Sequence, residues 1–142
     1  MNYAQSVSGS SCLEIAAEGG HLRIVELLLS RGARVNQISN EGDIPLLIAA
    51  HNGHTEVVSL LLESHAQVDL ANNKGFTPLL IAAQKGHTEI VRILLQAGAG
   101  PLLVGVQGYT PLDVALHRNN PEVAALLQAR IASIRNHSVS RP

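Results

Sequence analysis

Gly9, Gly42, Gly75 and Gly108 stand 33 residues apart, and the residues that follow each glycine keep the same step. Three positions on come Cys12, Pro45, Pro78 and Pro111, then Leu13, Leu46, Leu79 and Leu112, then Ala16, Ala49, Ala82 and Ala115. The pairs Gly20-His21, Gly53-His54 and Gly86-His87 hold the register, and Asn119-Asn120 departs from it. A unit this short cannot bury its own apolar faces, so neighbouring units must cover them. The chain therefore has to fold as a linear stack, with stability accumulating from one neighbour to the next.

The unit around Gly75 shows how each copy folds. Thr77 is a good N-cap, and Pro78 occupies the first helical position, where a missing N–H costs nothing. A short helix is expected to residue 85, ended by Gly86. A second helix is expected from Thr88 to Gln96, with Ile90, Val91, Ile93, Leu94 and Leu95 forming an apolar face wide enough to pack on two sides. Gly98 supplies a left-handed C-cap. Small Ala82 and Ala83 let the paired helices approach closely. The chain is 46% hydrophobic with 2% aromatics, so its core is built from Leu, Ile, Val and Ala.

The segment from Gly75 to Ala99, GFTPLLIAAQKGHTEIVRILLQAGA, resembles an ankyrin repeat almost position by position, and the period is the family's. The resemblance covers about residues 6–135. It implies an all-α ankyrin-repeat solenoid of four stacked helix-turn-helix units joined by hairpin loops. The expected division is a flexible N-terminus at 1–5, repeats at 6–38, 39–71, 72–104 and 105–135, and a flexible tail at 136–142. The first repeat has Ser11-Cys12 in place of Thr-Pro and carries Glu14, Glu18 and Arg23, so it reads as a polar N-terminal cap. The last starts its second helix at Asn120-Pro121 and has Ile131 where glycine would end it, so a longer closing helix is expected, to about Ile134.

Charge and composition narrow the function classes. A net charge of -1 argues against general nucleic-acid binding, which needs a basic surface. The charge is unevenly spread: residues 1–71 hold 8 acids and 3 bases, residues 72–142 hold 3 acids and 7 bases. In a linear stack this becomes a lengthwise dipole. Cys12 is the one cysteine, so no intrachain disulfide forms. Residues 1–10 lack the basic start and apolar run of a signal peptide, and no apolar run nears the roughly 18 residues of a spanning helix. The reading is a soluble chain, cytoplasmic or nuclear, with no membrane partner.

Candidate chemistry is sparse. His21, His54 and His87 share one repeat position, which the resemblance assigns to a structural turn between helices. One repeat separates them, roughly 10 Å on the scale of packed helices, too far for ligands at about 2 Å from one ion. His51 and His54 lack a third ligand at useful spacing. No Gly-x-Ser-x-Gly elbow occurs, and Gly98-Ala-Gly100 is not completed into a phosphate-binding loop. No metal, no cofactor and no catalytic residue is expected, and the chain reads as a non-enzyme. Asn136-His137-Ser138 and Arg135-x-x-Ser138 match modification motifs in the expected tail, patterns common by chance.

Two departures from the family stand out. Glu14, Leu47, Leu80 and Asp113 replace the histidine usual after Pro-Leu, which puts the usual bonding between repeats in question. His65 occupies the register of Gly32 and Gly98, a less favourable residue for a left-handed turn.

Ankyrin-repeat proteins usually bind through hairpin tips and the exposed face of the first helix. By register, those positions are Asn40, Glu41, Asp43, His51 and Asn52 in the second repeat, and Asn73, Lys74, Phe76, Gln84 and Lys85 in the third. The fourth supplies Val106, Gln107, Tyr109, His117 and Arg118. Phe76 and Tyr109, two of only three aromatics, are equivalent positions, and aromatics are favoured anchors. Beside them, residues 100–106 form an apolar hairpin with Leu102, Leu103 and Val104. Projecting, these would mark an interaction site; folded down onto the fourth repeat, they would be hidden. The expected function is a protein-binding scaffold or adaptor that prefers an acidic, partly apolar partner. The alternative is an ankyrin regulatory segment of a larger enzyme or channel.

Overall fold

The computed structural model describes residues 12–105 and 107–139, with side chains as far as Arg135. These residues form eight helices and no strand: α1 (residues 12–19), α2 (Leu22–Ser30), α3 (Pro45–Asn52), α4 (Thr55–Glu63), α5 (Pro78–Lys85), α6 (Thr88–Gln96), α7 (Pro111–His117) and α8 (Pro121–Val139). The expected flexible N-terminus at 1–5 lies outside the described residues.

Each first helix starts and stops by local rules. Thr77 Oγ1 accepts the Leu80 N–H at 3.2 Å, Pro78 follows, and Gly86 ends α5 at φ 76°. Thr110 and Asp113 form a reciprocal capping box on α7. In α3 the capping position is taken by Ile44, whose side chain is buried and caps nothing, so apolar burial replaces a hydrogen bond there. The second helices α2, α4 and α6 follow His21, His54 and His87, none of which caps its own helix. Asn120 does cap, its Oδ1 accepting from Val123 N–H at 3.2 Å.

The helices pair within each repeat and stack between repeats in two layers. Helices α3, α5 and α7 pack in sequence order on one side, and α2, α4, α6 and α8 on the other. One continuous core runs from Leu13 to Leu127. Its seam is Ala16, Ala17, Ala49, Ala50, Ala82 and Ala83, all essentially inaccessible, which is what lets the two layers close on each other. Leu61, Leu94 and Leu127 fill the space between second helices. Each such leucine contributes about 1.5–3 kcal/mol of burial.

The ends differ from expectation. The outer side of the first repeat is not simply polar, because Ile15, Ile24 and Leu27 lie exposed on it beside Glu18 and Arg23. The closing helix continues to Val139, five residues past the expected end, since no glycine or internal proline interrupts it after Pro121. The expected tail at 136–142 is therefore helical over its first four residues. Residues 140–142, and the side chains of both tail motifs beyond Arg135, lie outside the described residues. Among the described residues, no helix is long and apolar enough to cross a membrane.

Candidate protein-binding surface

Each pair of repeats is joined by a tight hairpin of constant geometry. Ser39 N–H donates to Asp43 O at 2.9 Å, Asn72 N–H to Phe76 O at 3.0 Å, and Gly105 N–H to Tyr109 O at 3.2 Å. At the tips Gly42, Gly75 and Gly108 all sit at φ 83°, a conformation that a Cβ would strain. Side chains brace the first two turns. Ser39 Oγ accepts from the N–H groups of Glu41 and Asp43, and Asn72 Oδ1 from those of Lys74 and Phe76. In the third the bracing residue is Gly105, which has no side chain to offer, and a Cβ there would stand 3.3 Å from Gly75 O. Among the described residues the third hairpin is closed by backbone bonds, Gly105 N–H to Tyr109 O and Gly108 N–H to Gly105 O.

That shape decides between the two expectations for the apolar loop. The loop does not fold down: Leu102, Leu103, Val104 and Tyr109 are 53%, 42%, 54% and 56% exposed. Pro101 at its base is buried, and Leu103 N–H bonds back to Gly100 O. Val106 lies outside the described residues.

The other expected contact residues divide by what their side chains already do. Asn40, Glu41, His51, Asn52, Asn73, Lys74, Lys85, Gln107, His117 and Arg118 are exposed, and Gln84 is half-buried. Asp43 is half-buried and accepts from Asn72 Nδ2 at 2.9 Å, so it braces two hairpins together. Asn73 donates from Nδ2 to Asn40 O at 3.4 Å and from its N–H to Glu41 O at 3.2 Å. Asn52 is turned back on its own helix, donating to Ile48 O. Phe76 is half-buried and packs on the core, unlike its register mate Tyr109. Sequence register missed Ile38 and Ala71, which are exposed and stand two repeats and one repeat before Val104, respectively. Counting back by 33 from Val104 finds both.

Electrostatically the surface is open. Among the described residues the one ion pair is Arg92 with Glu89 on α6, so Lys74, Lys85 and Arg118 are free cations. No group of three described His, Cys, Asp or Glu side chains could hold a metal. Burial pushes the Glu14 carboxyl above its usual range, the nearby Asp43 charge adds to this, and a Ser39 hydrogen bond opposes it.

Residues 13–104 and 65–137 match the family described as ankyrin repeats (3 copies). The chain belongs to the ankyrin-repeat family. No curated protein matches it. Ankyrin repeats are generally protein–protein interaction modules.

Within that family this chain bonds its repeats together without the usual histidine after Pro-Leu. Leu47 and Leu80 at that position are buried apolar residues, and Asp113 serves the capping box. The bonding between repeats persists through other groups. Asn36 Oδ1 accepts from Gln67 N–H at 2.9 Å, and one repeat later Asp69 Oδ1 accepts from Gly100 N–H at 3.0 Å. Arg130 closes the last repeat by donating to Leu95 O at 3.2 Å. The histidines between helices lie where the resemblance implies, His87 Nε2 donating to His51 O at 3.2 Å across one repeat boundary.

Proposed function

We propose that the chain is a non-enzymatic scaffold or adaptor that binds a partner protein through the hairpins and first-helix face of its third and fourth repeats. The observation that carries this reading is the exposed apolar cluster of Leu102, Leu103, Val104 and Tyr109, held out on a hairpin with regular backbone closure. Contiguous apolar surface of this kind is retained where something binds. Lys74, Lys85 and Arg118 of the third and fourth repeats are exposed without ion-pair partners among the described residues, which suits a partner surface that is acidic as well as apolar. The free, exposed thiol of Cys12 fits a reducing compartment, cytoplasmic or nuclear.

The test is a paired capture experiment. Tagged wild-type chain and a Leu103→Ser, Tyr109→Ser double variant are used as baits, and captured proteins are compared after purification of each. A partner retained by the wild type, lost by the double variant and recovered poorly at high salt supports this site. A verified partner bound equally by both baits moves the site elsewhere on the stack.

A further inference from the structure

Charge along the hairpin tips and first helices changes sign between the second and third repeats. In the first two repeats, residues 12–19 and 39–52 carry Glu14, Glu18, Glu41 and Asp43 and no Lys or Arg. In the third, residues 72–85 carry Lys74 and Lys85 and no Asp or Glu. The fourth adds Arg118 on residues 105–118, and the one acid there, Asp113, accepts the Thr110 N–H at 3.0 Å in the capping box.

The reversal appears in two separate rows. At the hairpin tips exposed Glu41 gives way to exposed Lys74 at the same register, and the Asn73 N–H bonded to Glu41 O joins the two tips. At the ends of the first helices the exposed charges are Glu18 on α1, Lys85 on α5 and Arg118 just after α7. Helices α3, α5 and α7 pack side by side, and His54 Nε2 bonded to Glu18 O ties α1 to the second repeat. Half-way along these helices Ile48 and Val114 are half-buried, so aliphatic side chains lie on the same solvent-facing stripe as the charges. Arg92 with Glu89 is the one ion pair among the described residues, so neither row is neutralised by the described part of the chain.

Given the partner-binding surface proposed above on the third and fourth repeats, we propose that the partner contributes a linear segment whose charge also reverses. It lies along the stack with basic residues against Glu18 and Glu41 and acidic residues against Lys74, Lys85 and Arg118. A uniformly acidic segment is repelled over the first two repeats and a uniformly basic one over the other two, so both halves are satisfied only when the two charges stand apart. Packed helices step by roughly 10 Å, so three repeats from Glu18 to Arg118 span about 30 Å, the length of about ten residues of extended chain.

Fluorescence anisotropy with labelled peptides of about this length tests the proposal on the full chain. One peptide has arginines at one end, glutamates at the other and leucines between, and is made in both chain directions. A second has the same composition with the charges alternating, and a third has glutamate for every arginine. One direction of the segregated peptide is expected to bind about tenfold tighter than the alternating one, the sum of several exposed charge pairs. That advantage disappears at about 1 M salt, where the Debye length is near 3 Å. Glu18→Lys with Glu41→Lys is expected to remove the advantage and to strengthen binding of the all-acidic peptide. Lys85→Glu with Arg118→Glu removes the advantage and weakens the all-acidic peptide further. All four side chains are exposed, so the fold survives, and circular dichroism checks that it does. Equal affinity for segregated and alternating peptides overturns the proposal, as does a Glu18, Glu41 variant that binds the segregated peptide as the wild type does. None of these substitutions touches Leu103 or Tyr109, so the charge pattern and the apolar site tested by partner capture fail separately.

Discussion

His54 donates through Nε2 to the main-chain carbonyl of Glu18 at 2.7 Å, tying the second repeat to the first across their shared boundary. His21 occupies the same register in the first repeat and lies exposed. The two histidines are thus equal in sequence and unequal in work. Replacing His54 with Ala removes a hydrogen bond between repeats, at a cost of about 1–2 kcal/mol. His21→Ala changes stability by less than about 0.5 kcal/mol, as for ordinary surface positions. Urea denaturation of both variants checks this; equal losses would refute the assigned role.

His65 sits at φ 73° where Gly32 and Gly98 sit at 94°. A side chain in the left-handed region costs roughly 1–2 kcal/mol, part of which glycine gives back through the entropy of the unfolded chain. His65→Gly is expected to stabilise the protein by about 0.5–1 kcal/mol. A thermal melt showing a lower midpoint would contradict this.

Phe76 and Tyr109 are register mates with different surroundings. Phe76 packs against the core, so Phe76→Ala should cost about 1–2 kcal/mol, below the loss for a fully buried ring. Tyr109 is largely exposed, and Tyr109→Ala should leave stability within about 0.5 kcal/mol. Partner affinity is expected to follow the opposite order, with Tyr109→Ala the more damaging. Denaturation and binding titrations on the same two variants separate the effects.

Glu14 keeps its proton to higher pH in the folded chain than in the unfolded one, because burial and the Asp43 charge disfavour its ionised form. Between the ordinary glutamate pKa near 4.3 and the raised folded value, the native state binds more protons, so its stability falls as pH rises through that window. Glu14→Gln removes the effect. The variant should be more stable than wild type above the window, by less than about 1 kcal/mol because the carboxyl is partly solvated, and indistinguishable below it. Denaturation midpoints at acid and neutral pH check both limits.

Much of the architecture was legible in the repeat because its signals are local. Thr77-Pro78 starts α5 and Gly86 ends it through contacts within a few residues, and the expected bounds of α5 and α6 coincide with the observed ones. The candidate surface was legible only as a set of register positions. Asp43 and Asn73 fall on it in sequence, yet their side chains brace neighbouring hairpins, a use that depends on Asn72 and Asn40 being brought alongside. Ile38 and Ala71 were missed because each precedes the residue that closes its hairpin, Ser39 and Asn72, and so falls outside the tip and first-helix positions to which register was applied.

The sequence by itself determined the period, the helices within each unit and the requirement that units stack, since capping, glycine turns and apolar periodicity act over short stretches of chain. Only the tertiary structure decided what each unit buries. Ile24 and Ile90 have the same side chain at the same register, and one is half exposed while the other is sealed, because exposure depends on whether a neighbouring repeat lies against that face. The same dependence on neighbours turned the expected polar cap into a partly apolar end. Leu102, Leu103, Val104 and Tyr109 are likewise exposed in the fold, where composition alone left the apolar segment free to fold down.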